Sequence, residues 1–152
     1  MLKRDYDDPV CSIAGTLGLI GERWTLLILR DVFNGKRRFS EMQRSMGVAR
    51  NVLAARLDRL VEEGILERRP YSESPGRHEY FLTEKGLDLW PVLVSVMQWG
   101  DRHLDREGAP AMTLIHKTCG GEIDDHRICE RCGERMGPRD ARPVYREDLV
   151  EA

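Results

Sequence analysis

The chain has 152 residues, of which 41% are hydrophobic and 33% are charged, and its formal net charge is −2. This composition is typical of a folded, soluble protein rather than a disordered one, and the length allows one core plus a small appendage. No apolar run approaches the roughly 18 residues that a membrane span needs, and the N-terminus lacks the apolar stretch of a secretory signal. We therefore expect a cytoplasmic protein with no membrane partner.

Charge is unevenly distributed along the chain. Residues 36–78 contain ten Lys and Arg against six Asp and Glu, a net charge of +4, so the rest of the chain carries −6. A basic central segment between acidic flanks can attract a polyanion without making the whole surface bind polyanions non-specifically.

The first predicted elements are helices. Helical periodicity begins near residue 10 and resumes in "GERWTLLILRDVF", which Asn34-Gly35 is well suited to end. Ser40 and Gln43 have the spacing of a capping box, which predicts that a short helix begins at Ser40 and ends at Gly47. This short helix and the helix that follows it across a tight turn predict a helix-turn-helix.

The next helix, in "VARNVLAARLDRLVEEG", has two different faces. One is an apolar stripe of Leu53, Leu57, Leu60 and Val61. Basic and small residues lie elsewhere on the helix, and the acidic residues lie at its C-terminal end. This arrangement favours a helix that enters the DNA major groove with its N-terminal half, where Arg, Asn and small apolar side chains can read base edges. The candidate DNA contacts are Arg50, Asn51, Val52, Ala55, Arg56 and Arg59.

Alternatives remain for this helix. Its charges could form an ordinary solvated face with i,i+4 pairs such as Arg59 with Glu63. Arg56 lies near the edge of the apolar stripe and could instead hold the following hairpin.

After Gly64 the period changes to that of strands. "ILERRPY" and "RHEYFLT" flank the turn sequence "SESPG", which predicts a β-hairpin with Pro70 near an edge. A helix-turn-helix followed by a hairpin has the element order of a winged helix. We expect Arg77 at the hairpin tip to reach the DNA backbone or minor groove, and Arg38 and Ser40 to bind phosphate at the start of their helix.

The segment "LTEKGLDLWPVLVSVMQWGDRHLD" predicts a long helix capped by Thr83 and kinked at Pro91. Its apolar residues occupy two sides, so the helix needs two surfaces to pack against, and the second could be another copy of the chain. The alternative is a helix buried in its own domain. The aromatic and Met side chains near it suggest core, or else the wall of a small-molecule pocket formed by Trp24, Trp90, Met97 and Trp99.

The stretches "GERWTLLILRDVFNGKRRFSEMQ", "VLAARLDRLVEEGILERRPY" and "RHEYFLTEKG", followed by "WG", resemble the HxlR-type winged-helix transcriptional regulators, relatives of the MarR group. The resemblance runs from about Cys11 to Asp101. It implies a homodimer that binds a palindromic DNA operator, with repression as the expected outcome, and that dimerises through its N-terminal and long C-terminal helices. Ala49 departs from a good helix N-cap; if Asn51 caps the helix instead, Asn51 does not read a base.

A cysteine cluster follows a linker predicted at 108–113. His116-x2-Cys119 and Cys129-x2-Cys132 have the spacing with which two tight turns present four ligands to a tetrahedral zinc ion. His126 is a rival fourth ligand. Four protein ligands would make the site closed and structural. A Cys129/Cys132 redox dithiol and a cluster without metal are the alternatives.

These features predict a mainly α-helical fold with a small β-hairpin, plus a zinc-ribbon-like segment. We place the DNA-binding and dimerisation domain at 1–107, the ribbon at 114–140 and an acidic tail at 141–152. Cys11, just before the first helix, is either a redox sensor or a buried, inert thiol.

Three classes of function follow. A dimeric DNA-binding regulator is the leading hypothesis, and a protein-interaction adaptor that uses the winged helix and ribbon without specific DNA binding is the alternative. An enzyme is not expected, because the sequence has no nucleophile–base arrangement, no phosphate loop and no open metal site.

Overall fold

The computed structural model of the chain describes residues 10–73, 75–104, 107 and 110–145. These residues divide into two compact units, Met1–Thr83 and Glu84–Ala152. The division falls before the predicted long helix, whereas the sequence predicts that the first domain includes this helix and ends at residue 107. The helix therefore belongs to the same unit as the cysteine cluster.

Four helices form most of the first unit. They are α1 (Ser12–Ile20), α2 (Arg23–Phe33), α3 (Phe39–Met46) and α4 (Arg50–Glu62). In the apolar stripe predicted for α4, the three leucines are buried and Val61 is half-buried, and α2, α3 and α4 pack on one another around this stripe. The fully buried side chains of these three helices include Ile28, Leu29, Val32, Met42, Leu53, Leu57 and Leu60. This packing leaves the opposite face of α4 exposed.

The start of α3 differs from the prediction. The N-cap is Arg38, and the carboxylate of Glu41 accepts hydrogen bonds from the backbone N–H groups of Arg37 at 3.0 Å and Arg38 at 2.9 Å. The predicted Ser40–Gln43 capping box is wrong, because Glu41 satisfies these orphan donors and the helix begins before Ser40. The helix ends as predicted at Gly47, whose φ of 63° favours glycine.

An antiparallel hairpin completes the first unit. Strand β1 (Leu66–Pro70) pairs with β2 (His78–Leu82), and Pro70 opposite His78 is the last pair of the ladder before the turn, an end position that suits a proline. An isolated bridge between Arg38 and Glu79 places the start of α3 beside β2. The structure therefore confirms the winged helix-turn-helix architecture.

In the second unit, the predicted long helix is two helices, α5 (Glu84–Leu87) and α6 (Trp90–His103). Pro91 lies in the first turn of α6. A proline lacks the N–H that a helix interior needs but is compatible with a first turn, so the chain breaks before it rather than kinking at it.

The cysteine-rich segment is bounded by two strands, β3 (Met112–His116) and β4 (Ala141–Tyr145), which pair antiparallel. The predicted linker and tail therefore each contribute residues to this small sheet, because backbone pairing extends beyond the cysteine spacing. The remainder of the tail, 146–152, lies outside the described residues. Within this unit the Gln98 side chain donates to the Asp124 carbonyl at 3.0 Å, and Arg102 pairs with Asp125 at 2.6 Å.

Among the residues that the structure describes, no single helix is long and apolar enough to cross a membrane. Helices α1 and α2 together meet the length and composition criteria, but they are bent by 76°.

Candidate nucleic-acid interface and metal centre

The N-terminal half of α4 presents basic and small side chains to solvent. Arg50, Asn51 and Ala55 are exposed and Val52 is half-buried. The N-cap is Ala49, which makes no side-chain capping bond. Asn51 lies in the first helical turn rather than at the cap, so its exposed amide is not used to close the helix.

The last turn of α4 carries the predicted i,i+4 pair. Arg59 lies 2.9 Å from the carboxylate of Glu63, so its charge is partly neutralised at the acidic end of the helix. At the other end, the Arg50 guanidinium stacks over the Phe39 ring at 5.1 Å, which links the first turns of α3 and α4.

Arg56 pairs with another helix of the same unit. Its guanidinium forms an ion pair with Glu22, the N-cap of α2, and the Arg56 side chain is only 24% exposed. Its Nε is buried and has no hydrogen-bond partner among the residues that the structure describes. The alternative role in the hairpin is wrong, because the partner of Arg56 is at the start of α2. A base contact by Arg56 is also disfavoured by this pairing.

Arg38 lies between α3 and the hairpin. Its Nε is 3.3 Å from the Glu79 carboxylate, and its guanidinium lies over the Tyr71 ring at 4.4 Å. Ser40 is exposed in the first turn of the same helix. Arg77 is exposed beside the hairpin turn, and its backbone carbonyl accepts from the Tyr71 N–H at 3.3 Å.

The sequence did not reveal the aromatic partners of the hairpin arginines. Arg37 and Arg69 both lie over the Phe81 ring, at 5.0 and 4.2 Å. The two arginines are 32 residues apart in the chain, so only the hairpin register brings them to one ring. Period-2 alternation places Phe81 on a strand face but does not identify what lies against it.

The sequence pattern also does not reveal a buried carboxylate in α2. Asp31 is fully buried, and its Oδ1 accepts from Arg30 Nε at 3.1 Å and from Lys36 Nζ at 3.4 Å. The backbone N–H of Lys36 also donates to the Asp31 carbonyl at 3.0 Å. Asp31 therefore fixes the turn between α2 and α3. Arg38 lies at the end of this turn, as the N-cap of α3.

The second unit gathers the four predicted metal ligands. The imidazole Nδ1 of His116 and the sulfur atoms of Cys119, Cys129 and Cys132 all lie within 4.8 Å of one another. The Cys119 sulfur is 3.4 Å from that Nδ1 and 3.3 Å from the Cys129 sulfur, and the Cys132 sulfur is 3.3 Å from Nδ1. His126, the rival ligand, is exposed and is not part of this cluster.

Two equivalent turns present these ligands. The Gly120 N–H donates to the His116 carbonyl at 2.8 Å, and the Gly133 N–H donates to the Cys129 carbonyl at 2.9 Å. Both glycines have positive φ, 75° and 76°. The turns have the same geometry although one begins with His and the other with Cys, which makes the two ligand pairs structural counterparts.

The surroundings of the cluster favour the thiolate at Cys129, whereas burial and the neighbouring Cys129 and Cys119 thiols raise the pKa of Cys132. Backbone N–H groups in the second turn, first that of Cys132 and then that of Arg131, lower the pKa of the Cys129 thiol to about 6. The Nε2 of His116, which faces away from the sulfurs, lies 3.7 Å from the Glu134 carboxylate. This contact orients the ring so that Nδ1 faces the thiols.

Cys11 is the N-cap of α1. Its half-buried sulfur accepts from the Ala14 N–H at 3.4 Å. This arrangement gives the thiol a local structural role, and redox sensing by Cys11 stays a prediction.

The predicted small-molecule pocket is not supported by the tryptophans of the second unit. Trp90 is buried, and Trp99 is 56% exposed. A cavity of about 190 Å³ between α6 and the cysteine-rich segment does include Met97, but it is lined by no tryptophan.

Comparisons with known proteins agree with this architecture. The HxlR-like helix-turn-helix family model matches residues 19–108. The HTH-type transcriptional regulator Rv3095 of Mycobacterium tuberculosis is 49% identical over 132 residues, which cover 87% of this chain and 84% of the relative. The chain therefore belongs to the HxlR-like helix-turn-helix family, whose relatives are transcriptional regulators.

Two solved structures differ in how much of the chain they match. PA1607, described as a candidate transcription factor, has a TM-score of 0.71 and 37% identity over 92% of this chain and 97% of its own. The reduced form of the redox regulator HypR has a TM-score of 0.59 and 31% identity, covering 95% of its own length but only 62% of this chain. Relative to HypR, this chain therefore carries a substantial additional segment.

Proposed function

We propose that the chain is a sequence-specific transcriptional regulator that binds a palindromic operator as a homodimer and represses transcription. The observation that carries this proposal is the distribution of charge on α4. Arg50 and Asn51 are exposed in its first turn, while Glu62 and Glu63 lie at the opposite end. In a helix-turn-helix, the N-terminal end of the second helix enters the major groove, where acidic side chains would meet phosphate repulsion.

The remaining DNA contacts surround this end of α4. Val52 and Ala55 provide small apolar contacts for a thymine methyl group, Arg38 and Ser40 provide phosphate contacts, and Arg77 provides the hairpin contact. Arg59 contributes less because it is paired with Glu63.

Exposed apolar side chains support the homodimer. Val10, just before α1, is 89% exposed, and Ile13 and Leu17 on α1 are 72% and 46% exposed. On α6, Val92, Val96 and Trp99 recur at spacings of four and three residues and are also exposed. Such stripes on a folded domain are typical of surfaces covered by a second protein, and a second copy would also pair two α4 helices with a two-fold operator.

Selection of bound duplexes from a random-sequence DNA pool tests this proposal. We expect enrichment of an inverted repeat whose half-sites are about one helical turn, roughly 34–36 Å, apart. Placing the selected site across a promoter should lower transcription in a purified system, and increased transcription would show that the direction is activation. Absence of any enriched sequence would instead favour the protein-interaction adaptor.

We further propose that His116, Cys119, Cys129 and Cys132 hold one structural zinc ion. Zinc–sulfur bonds of about 2.3 Å imply ligand separations near 3.7 Å in a tetrahedron, and the closest observed separations of 3.3–3.4 Å lie near that value. Thiolates with one imidazole are ligands that zinc prefers, and four of them leave no open position for a substrate.

Metal analysis of freshly purified protein tests the zinc assignment. We expect about one zinc per chain, lost when Cys132 is replaced by Ser and retained when His126 is replaced by Ala. Protein purified without chelators that contains no metal would contradict the assignment and favour a Cys129/Cys132 dithiol.

Cys11 is the candidate site at which an effector would act. HypR is described as a redox regulator, and a Cys11 sensor would make this chain one as well. Comparing operator release by hydrogen peroxide in the wild type and in Cys11→Ser tests this role: an identical response in both would exclude it.

A further inference from the structure

Arg38 is held by two hairpin residues in a way that prepares it for an anion. The Tyr71 ring supports the flat face of its guanidinium at 4.4 Å, and the Glu79 carboxylate holds its Nε at 3.3 Å. Half of the Arg38 side chain remains exposed. Within the part of the chain that the structure describes, its two terminal nitrogens have no hydrogen-bond partner.

The backbone supports the same arrangement from both sides. The bridge between Arg38 and Glu79 fixes their separation, and the Tyr80 N–H donates to the Arg37 carbonyl at 2.8 Å. Tyr71 is held across the hairpin by its bond to the Arg77 carbonyl at 3.3 Å. The hairpin thus contacts the start of α3 through main chain and side chains together.

We propose that Tyr71 is a positioning residue for DNA binding, which acts by holding the Arg38 guanidinium in the orientation that a backbone phosphate requires. This inference rests on the proposed function. Ordering a free arginine side chain on binding costs affinity, and a guanidinium already stacked and held at Nε avoids much of that cost. The two terminal nitrogens remain available to donate a bidentate pair of hydrogen bonds to phosphate oxygens.

The opposite reading of the same contacts is that Glu79 and Tyr71 sequester Arg38 from DNA. The two readings predict opposite signs when the ring is removed. Sequestration requires stronger DNA binding after Tyr71→Leu, whereas positioning requires weaker binding.

A double-mutant cycle on the selected operator duplex tests the proposal. We expect Tyr71→Leu to weaken binding about threefold per half-site, and so about tenfold for a dimer that makes the contact twice. Tyr71→Phe, which keeps the ring, should bind like the wild type. Arg38→Ala should weaken binding at least tenfold and reduce the salt dependence, and adding Tyr71→Leu to it should have no further effect.

Arg44→Ala is the matched control, because Arg44 is exposed on the same helix. Unlike Arg38, its side chain makes no hydrogen bond, ion pair or ring stack with the hairpin among the described residues. The effects of Arg44→Ala and Tyr71→Leu should multiply. If Tyr71→Leu does not fold, Arg38→Lys tests the same point: it keeps the charge but loses the planar stack and should still weaken binding about tenfold per dimer.

The outcomes separate the two proposals. A wild-type protein that selects no operator overturns both. Specific binding by the wild type, combined with equal effects of Tyr71→Leu in the wild-type and Arg38→Ala backgrounds, overturns only the positioning role. Stronger binding by Tyr71→Leu, or wild-type binding by Arg38→Lys, overturns it as well.

Discussion

The winged helix and the cysteine-rich ribbon are stabilised in different ways. Residues 10–83 bury twelve hydrophobic side chains, most of them on α2, α4 and the strands beside them. In residues 112–145 the buried hydrophobic side chains are Leu114, Cys129 and Met136, and one of these is a proposed zinc ligand. The first region has an apolar core of its own, whereas the second gathers four ligand atoms where a core would be. Removing the proposed metal ion or one of its ligating side chains should therefore affect the ribbon far more than the winged helix.

The largest expected effect is that of removing the proposed zinc ion. Structural zinc sites in small domains contribute on the order of 10 kcal/mol of folding free energy, so a strong chelator or Cys129→Ser should unfold the ribbon. Hydrogen exchange should show loss of protection in β3 and β4 while α2 and α4 stay protected. Retained protection of β3 and β4 in metal-free protein would show that the ribbon does not depend on the metal.

A core truncation should have the complementary effect. Leu57 is fully buried in α4, and Leu57→Ala should lower the free energy of unfolding of the winged helix by about 2–5 kcal/mol. Thermal unfolding measures this loss, and zinc content should remain unchanged. Zinc loss in this variant would show that the two regions fold as one.

Two arginines on α4 sharpen the comparison within the winged helix. Arg50→Ala should reduce discrimination between operator and altered duplexes by about 1–3 kcal/mol and change stability by less than about 0.5 kcal/mol. Arg56→Ala breaks the pair with Glu22 and should instead lower stability by about 1–2 kcal/mol. Paired thermal unfolding and binding measurements check both. A stable Arg56→Ala protein with lost base discrimination would reverse these roles.

The smallest expected effect concerns the start of α4. Ala49 has the extended backbone of an N-cap, φ −61° and ψ 140°, but no side-chain acceptor. Ala49→Ser should therefore stabilise the winged helix by about 0.5–1 kcal/mol, measured by thermal unfolding. Ala55→Ser, an exposed position within the same helix, is the control and should not be stabilising. No gain from Ala49→Ser would mean that solvent already satisfies these N–H groups.

Much of this organisation could be predicted because it is local. Helical periodicity identified the buried stripe of α4, turn residues located the hairpin, and the two x2 spacings identified the four ligands that the structure gathers. Each of these signals is contained within a short segment of chain.

The features that could not be predicted depend on pairs distant in sequence. Arg56 lies at the edge of an apolar stripe, and only the packing of α2 against α4 brings Glu22 to it. Likewise, Arg38 meets Tyr71 only because the hairpin returns beside α3. The sequence predicts a tail where β4 lies, since "ARPVY" has no clear alternation, and only its backbone pairing with β3 makes it a strand.

The most direct test of the central claim is the affinity of the wild-type protein for its selected operator and for a scrambled duplex at two salt concentrations. We predict that the operator binds at least about 10³-fold more tightly and that both affinities fall steeply as salt increases. Equal, weak and salt-insensitive binding to the two duplexes would contradict the claim that α4 reads DNA.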